Sequence, residues 1–207
     1  MKRIQLIALD MDGTLLSSDH WTIPQENIDA IRRADAAGIR VCICTGRMLE
    51  DASDFITRLQ LPCVIIACNG TRISDGPLPE GHILFRRSFQ PQDAKRVLDL
   101  VLPYRIMING FEDGRVNTVA FAPCQHYHLT DRGLIDASYG EKSIYEAAQR
   151  GIMKFYISAD GYAGASTSKN IEDARKAVMS AFPELQITQS APGNIEIMPK
   201  DANKGTA

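Results

Sequence analysis

Short apolar runs alternate with amphipathic stretches over the first third of the chain. Ile4-Gln5-Leu6-Ile7-Ala8-Leu9, Ile39 to Cys44 and Cys63 to Ala67 are strand-length and mostly apolar, as buried strands of a parallel sheet are. Between the first two, Ile28, Ile31 and Ala34 recur at helical spacing. Pro24 suits the first turn of that helix, and Gly38 suits its end. Phe55, Ile56 and Leu59 form the apolar stripe of a second helix, roughly Leu49 to Leu59, and Pro62 precedes the third strand. Three β-α units in succession predict a doubly wound α/β sheet with right-handed crossovers.

The pattern changes after about Ile73. Asp75-Gly76-Pro77 and Pro79-Glu80-Gly81 mark turns. Alternating, half-buried strands are expected at Arg105 to Asn109, Arg115 to Phe121, Met153 to Ser158 and Leu185 to Gln189. Amphipathic helices fall between them, at Pro91 to Leu102 and Ile171 to Phe182. This reads as a separate α+β module inserted into the α/β unit. Asn194 to Met198 closes it and leads the chain back.

Composition adds exclusions. The 207 residues are 44% hydrophobic and carry a net charge of −2, so neither nucleic acid nor an anionic membrane is indicated as partner. The apolar stretches are too short to span a bilayer. The run after Met1-Lys2-Arg3 breaks at Asp10, too early for a secretion signal, and a cytoplasmic location is expected. Cys42, Cys44, Cys63, Cys68 and Cys124 include no CxxC pair, so we expect reduced thiols without disulfides or structural zinc.

Candidate chemistry lies where the early strands end. Asp10-Met11-Asp12-Gly13-Thr14 follows the first, Thr45-Gly46-Arg47 the second and Asn69-Gly70 the third. Strand ends of a parallel sheet share one edge, the place where such sheets bind ligands. Two carboxylates one residue apart concentrate negative charge, which a hard cation such as Mg²⁺ relieves. Thr45 offers a hydroxyl and an N–H, and Gly46 lets the chain approach an anion at a helix start. Elsewhere, His126-Tyr127-His128 has strand spacing that puts two imidazoles on one face, but no further ligand cluster is evident nearby; it reads as a surface pair. Trp21 reads as a loop residue packed beside the first motif.

Asp-Met-Asp-Gly-Thr-Leu-Leu, Cys-Thr-Gly-Arg, Cys-Asn-Gly and the late Asn-Lys-Gly-Thr together resemble the haloacid dehalogenase-like superfamily. Within it, the arrangement is similar to the Cof-type sugar-phosphate phosphatases of class IIB. The resemblance implies a Rossmannoid parallel-sheet core over 1–82, an inserted α+β cap over 83–192 and a return to the core over 193–207. It implies a Mg²⁺-dependent hydrolase in which Asp10 is the nucleophile that forms an aspartyl phosphate. Asp12 would be general acid and then base. Asp10 and the Asp12 carbonyl would bind the metal, and Lys204 would neutralise charge on Asp10 and the phosphoryl group. Met11, Thr45, Gly46, Arg47 and Asn69 would hold phosphate or substrate. The implied substrate is a small phosphorylated metabolite, over which the cap would close. A phosphomutase using the same aspartyl phosphate, or a non-catalytic phosphometabolite-binding remnant, are the alternatives.

The family pattern continues past the lysine to a further strand ending in a Gly-Asp-x-x-Asn-Asp type motif that completes the metal site. Asp113-Gly114, Asp160-Gly161 and Asp131 do not match it. A C-terminally truncated, incomplete core is therefore expected, with the Asp10 strand left as an apolar edge and weak or no activity in the chain alone.

Overall fold

The computed structural model describes residues 4–60, 63–121, 133–158, 165–191 and 193–207. Pro62, Cys124, His126-Tyr127-His128, Asp131 and Asp160-Gly161 lie outside the described residues. The chain forms two compact units, Met1–Arg86 with Asn203–Ala207, and Arg87–Ala202.

The first unit is built on a five-stranded sheet in the order β1 (Leu6–Asp10), β2 (Arg40–Cys44), β3 (Val64–Ala67), β4 (Arg72–Ser74) and β5 (Ile83–Arg86). β1, β2 and β3 are parallel, and β4 and β5 then pair antiparallel. The helices α1 (Gln25–Ala36) and α2 (Leu49–Leu59) connect the parallel strands. Pro24, with φ −56°, stands just before α1, one position ahead of the expected first turn. Val41, Ile43, Ile65 and Ala67 pack with Met11, Leu15, Ile31, Leu49, Phe55 and Ile56 on one side of the sheet. Cys42, Cys44 and Ile66 pack with Val64 and Ile73 in a second cluster, as the two-residue period of a strand requires.

β1 has the apolar run of a buried strand but takes the edge position expected above. It pairs on one side only, so it is an edge, and Leu6 is exposed. An apolar run alone does not distinguish a central strand from an edge strand.

Register positions the strand ends. Asp10 lies opposite Cys44, and Cys44 opposite Ile66. The chain therefore leaves all three strands along the same edge.

The second unit carries a six-stranded sheet in the order β10 (Gln186–Thr188), β11 (Asn194–Met198), β9 (Lys154–Ser158), β6 (Met107–Glu112), β7 (Arg115–Val119) and β8 (Asp136–Tyr139). All pairings are antiparallel except β7 with β8. The helices α3 (Pro91–Val101), α4 (Glu141–Arg150) and α5 (Ala165–Ala181) contribute to its apolar core. Val97 and Leu98 of α3, Ile144 of α4 and Val178 of α5 meet Ile108, Phe155, Ile157, Ile195 and Ile197 of the sheet. The alternate strand residues Asn109, Thr118, Lys154 and Glu196 are buried too, and they are polar. Thr118 donates to Asn109 at 2.6 Å, and Lys154 pairs with Glu196 at 3.7 Å. β11 thus belongs wholly to this unit, and the return to the first begins at Asn203. No described helix is long and apolar enough to cross a membrane.

Candidate active site

β1 ends at Asp10, and the next five residues, Met11–Leu15, make a tight irregular turn closed by the Leu16 N–H donating to the Met11 carbonyl at 2.9 Å. The turn leaves Met11 with no exposed surface while the Asp10 and Asp12 side chains stay 44% and 40% exposed. Met11 packs in the apolar core of the first unit instead.

The three strand-end motifs meet. The Asn69 N–H donates to the Thr45 carbonyl at 3.0 Å, and the Cys68 N–H to the Arg47 carbonyl at 2.8 Å. Thr45 is fully buried, and its hydroxyl accepts the Arg47 N–H at 3.1 Å. A Cβ on Gly46 would lie 2.8 Å from Asn69 Oδ1, so a larger residue there would push the Asn69 side chain aside. Cys68 and Asn69 both adopt positive φ, 47° and 56°. Non-glycine residues adopt that backbone seldom, and it concentrates at functional sites.

Lys204 arrives from the far end of the sequence and donates to Asp10 Oδ1 at 2.6 Å. Gly70 makes this possible: its φ is +94°, and a Cβ there would lie 2.4 Å from the Asn203 carbonyl oxygen. The loop that carries Lys204 therefore sits directly on the end of the third motif.

Asp12 has cationic company of its own. Arg47 grips it bidentately, Nη2 to Oδ1 at 2.7 Å and Nε to Oδ2 at 2.9 Å. His20 Nδ1 is 3.2 Å from Oδ1. The Arg47 hydrogen bonds hold the Asp12 carboxyl below the usual carboxylate range, against the opposing effect of burial. Burial disfavours the charge on Arg47, but Asp12 and Asp51 outweigh it and raise its pKa. Arg47 also donates from Nη1 to Asp51 at 3.0 Å and from Nη2 to the His20 carbonyl at 2.9 Å. Its guanidinium lies 5.0 Å from the Phe55 ring centre and 5.9 Å from that of Trp21. The two rings stack at 6.2 Å. Asp19 shapes this loop: it accepts the Thr22 hydroxyl at 2.6 Å and the Trp21 and Thr22 N–H groups at 2.9 Å each, which holds its pKa down to about 2.

The structure thus brings together Asp10, Lys204, Thr45, Gly46 and Asn69, and it directs Arg47 toward Asp12. His20, Asp51 and Phe55 were missed in the sequence. Only Asp51 left a signal there, standing four residues beyond Arg47 at the start of a helix. Each carboxylate of the Asp10/Asp12 pair has a basic partner, so side chains relieve part of the charge that the sequence assigned to a cation. The Asp10 carboxylate and the Asp12 main-chain carbonyl are hard oxygen donors, the kind Mg²⁺ takes together with water. Among the described residues no group of three or more His, Cys, Asp or Glu side chains forms a metal cluster.

A family model described as haloacid dehalogenase-like hydrolase matches residues 7–207. A 5-amino-6-(5-phospho-D-ribitylamino)uracil phosphatase of Bacillus subtilis is 40% identical over 111 residues, 53% of this chain and 36% of its own length. An HMP-PP phosphatase of Cronobacter sakazakii is 26% identical over 98% of this chain and 70% of its own. The matched stretches span only 28% to 36% of the first three curated relatives. In fold, a haloacid dehalogenase-like hydrolase from B. subtilis superposes with a TM-score of 0.78 at 23% identity, covering 98% of this chain and 76% of the other.

Proposed function

The chain belongs to the haloacid dehalogenase-like hydrolases, and from that premise we propose that it is a phosphatase of small phosphorylated metabolites such as sugar phosphates. The observation that carries this reading is the Asp10–Lys204 contact at the shared strand edge, beside Thr45 and Asn69.

In the proposed reaction an Asp10 carboxylate oxygen attacks phosphorus, and the bond from phosphorus to the ester oxygen breaks. Asp12, which must first take up a proton as the phosphate dianion arrives beside it, gives that oxygen the proton. Water then attacks the aspartyl phosphate while Asp12 takes up a proton, which frees Asp10 and inorganic phosphate. Lys204 offsets the negative charge that gathers on Asp10 and the phosphoryl oxygens. The Thr45 hydroxyl and the Gly46 N–H bind those oxygens. Asp10 and the Asp12 carbonyl would hold Mg²⁺, which supplies electrostatic relief between nucleophile and phosphate when bound. Selectivity for the leaving group is assigned to the inserted unit, Arg87–Ala202.

Release of inorganic phosphate from a panel of sugar phosphates, nucleotides and cofactor phosphates in Mg²⁺ tests this, with Asp10→Asn as the blank. Turnover that disappears in the blank, with a beryllofluoride adduct on Asp10, supports the reading. Activity surviving Asp10→Asn, or an adduct on another residue, overturns it. An isomerised sugar phosphate without phosphate release would assign a mutase instead.

A further inference from the structure

The geometry points to Asp51 as a positioning residue that fixes the Asp12 carboxylate through Arg47. The inference rests on the role proposed above for Asp12 and adds what holds that carboxylate in one orientation.

The side chain of Asp12 is 40% exposed, and its tethers are Arg47 and a His20 that is itself 61% exposed. Arg47 is therefore the rigid element, and what holds Arg47 decides where Asp12 points. Four hydrogen bonds engage its guanidinium, two to Asp12, one to the His20 carbonyl and one to Asp51, out of the five it can donate. So committed, Arg47 serves Asp12 and leaves little for a substrate phosphate.

Asp51 is the buried end of this chain of contacts. Its side chain is 1% exposed, in the first turn of α2 next to the core residues Leu49, Ala52 and Phe55. A carboxylate that deep is costly to desolvate, and a hydrophobic side chain of similar size generally serves stability as well or better. The N-terminal end of the helix lowers part of that cost. The return on the remainder is geometric: Asp51 grips one Nη while the opposite edge of the fork faces Asp12. Phe55 and Trp21 flank the guanidinium and restrict its swing.

A misplaced Asp12 slows phosphoryl transfer from esters whose leaving group needs a proton and spares that step for those that do not. Hydrolysis of the common aspartyl phosphate slows alike for both, so the comparison is made in kcat/KM, which reports the transfer step. The test compares kcat/KM of the full chain in Mg²⁺ on glycerol 3-phosphate, a poor leaving group, and on 2,4-dinitrophenyl phosphate, a good one. Asp51→Asn and Arg47→Lys, which keeps the charge but not the fork, are measured beside wild type. We expect kcat/KM on glycerol 3-phosphate to fall about tenfold or more in both variants, with kcat/KM on 2,4-dinitrophenyl phosphate held within about twofold in Asp51→Asn. Equal loss of kcat/KM on both substrates in Asp51→Asn, or no loss on either, overturns the assignment. If wild type hydrolyses neither ester, that result bears on the phosphatase reading and not on the brace, which is then read through Trp21, the single tryptophan of the chain. Its fluorescence then shifts in both variants if the brace exists, and unchanged emission and quenching overturn it.

Discussion

Lys204 and Asp10 stand 194 positions apart in the chain, and the Lys204 ammonium lies 2.6 Å from the Asp10 carboxylate. The two side chains are 36% and 44% exposed. Ion pairs this open are screened by water and contribute at most about 1 kcal/mol to stability. In the proposed reaction the contact therefore carries more weight than it does in the fold.

Lys204→Met separates the two roles. Removing a charge-stabilising group of this kind typically lowers kcat by about 100-fold or more. The loss of at most about 1 kcal/mol moves the melting temperature of a chain this size by no more than roughly 4 °C. Steady-state kinetics on a sugar phosphate and a thermal melt check both halves. A variant that melts far below wild type, with its rate intact, would reverse the assignment.

Gly70 controls where that lysine is delivered. Gly13 and Gly70 share positive φ, +75° and +94°, but a Cβ on Gly13 meets nothing within 4 Å, whereas on Gly70 it strikes the Asn203 backbone. Gly13→Ala therefore adds strain alone, and Gly70→Ala adds strain plus displacement of the Lys204 loop. Backbone strain of this kind costs about 1–3 kcal/mol, so both variants should melt lower. Only Gly70→Ala should also lose most of its turnover. Equal rates in the two variants would sever the link between Gly70 and Lys204.

The site was legible where chemistry sits on strand ends. Asp10, Thr45 and Asn69 end strands whose apolar runs are plain in the sequence, and a parallel sheet gives such ends one edge. The parallel half of the first sheet was legible for the same reason. β4 and β5 were not, because three or four residues after a turn carry too little periodicity to read. α4 was missed although Ile144, Ala147 and Ala148 share its buried face; its remaining positions are polar, and only Gly140 and Gly151 bracket it. α5 begins at Ala165, six residues before the expected Ile171, because its first turns hold no apolar stripe to mark them. The grip of Arg47 on Asp12 was invisible for another reason: a separation of 35 positions says nothing about which carboxylate a guanidinium finds.

That grip has an acid signature. Arg47 holds the Asp12 pKa below 3.8, its ordinary value. A carboxyl whose folded pKa is depressed adds stability above its unfolded pKa and loses it as pH falls through the folded value. Wild type should therefore melt higher than Asp12→Asn at pH 7, with the gap closing below about pH 4. Thermal melts of both proteins from pH 7 to pH 3 provide the measurement. A gap that stays constant with pH would show that the ionised form gains nothing from Arg47.

The buried thiols carry an alkaline counterpart. Burial pushes Cys42 and Cys63 up to about 12 from an ordinary 9, and Cys42 is raised further by Cys44, whose sulfur lies 3.8 Å away. The thiolate is the nucleophile, so a rise of that size leaves about a thousandth of the reactive form at pH 8. Here the fold favours the neutral thiol. Its contribution is complete below the unfolded pKa and is lost as pH rises from about 9 toward 12. Iodoacetamide at pH 8, read peptide by peptide by mass spectrometry, should leave Cys42 and Cys63 unmodified in the native protein and label both in guanidinium. Native labelling of either at the rate of a free peptide thiol would mean that β2, which holds Cys42, or the start of β3, which Cys63 precedes, opens to solvent, and the packing described for β2 and β3 would have to be abandoned.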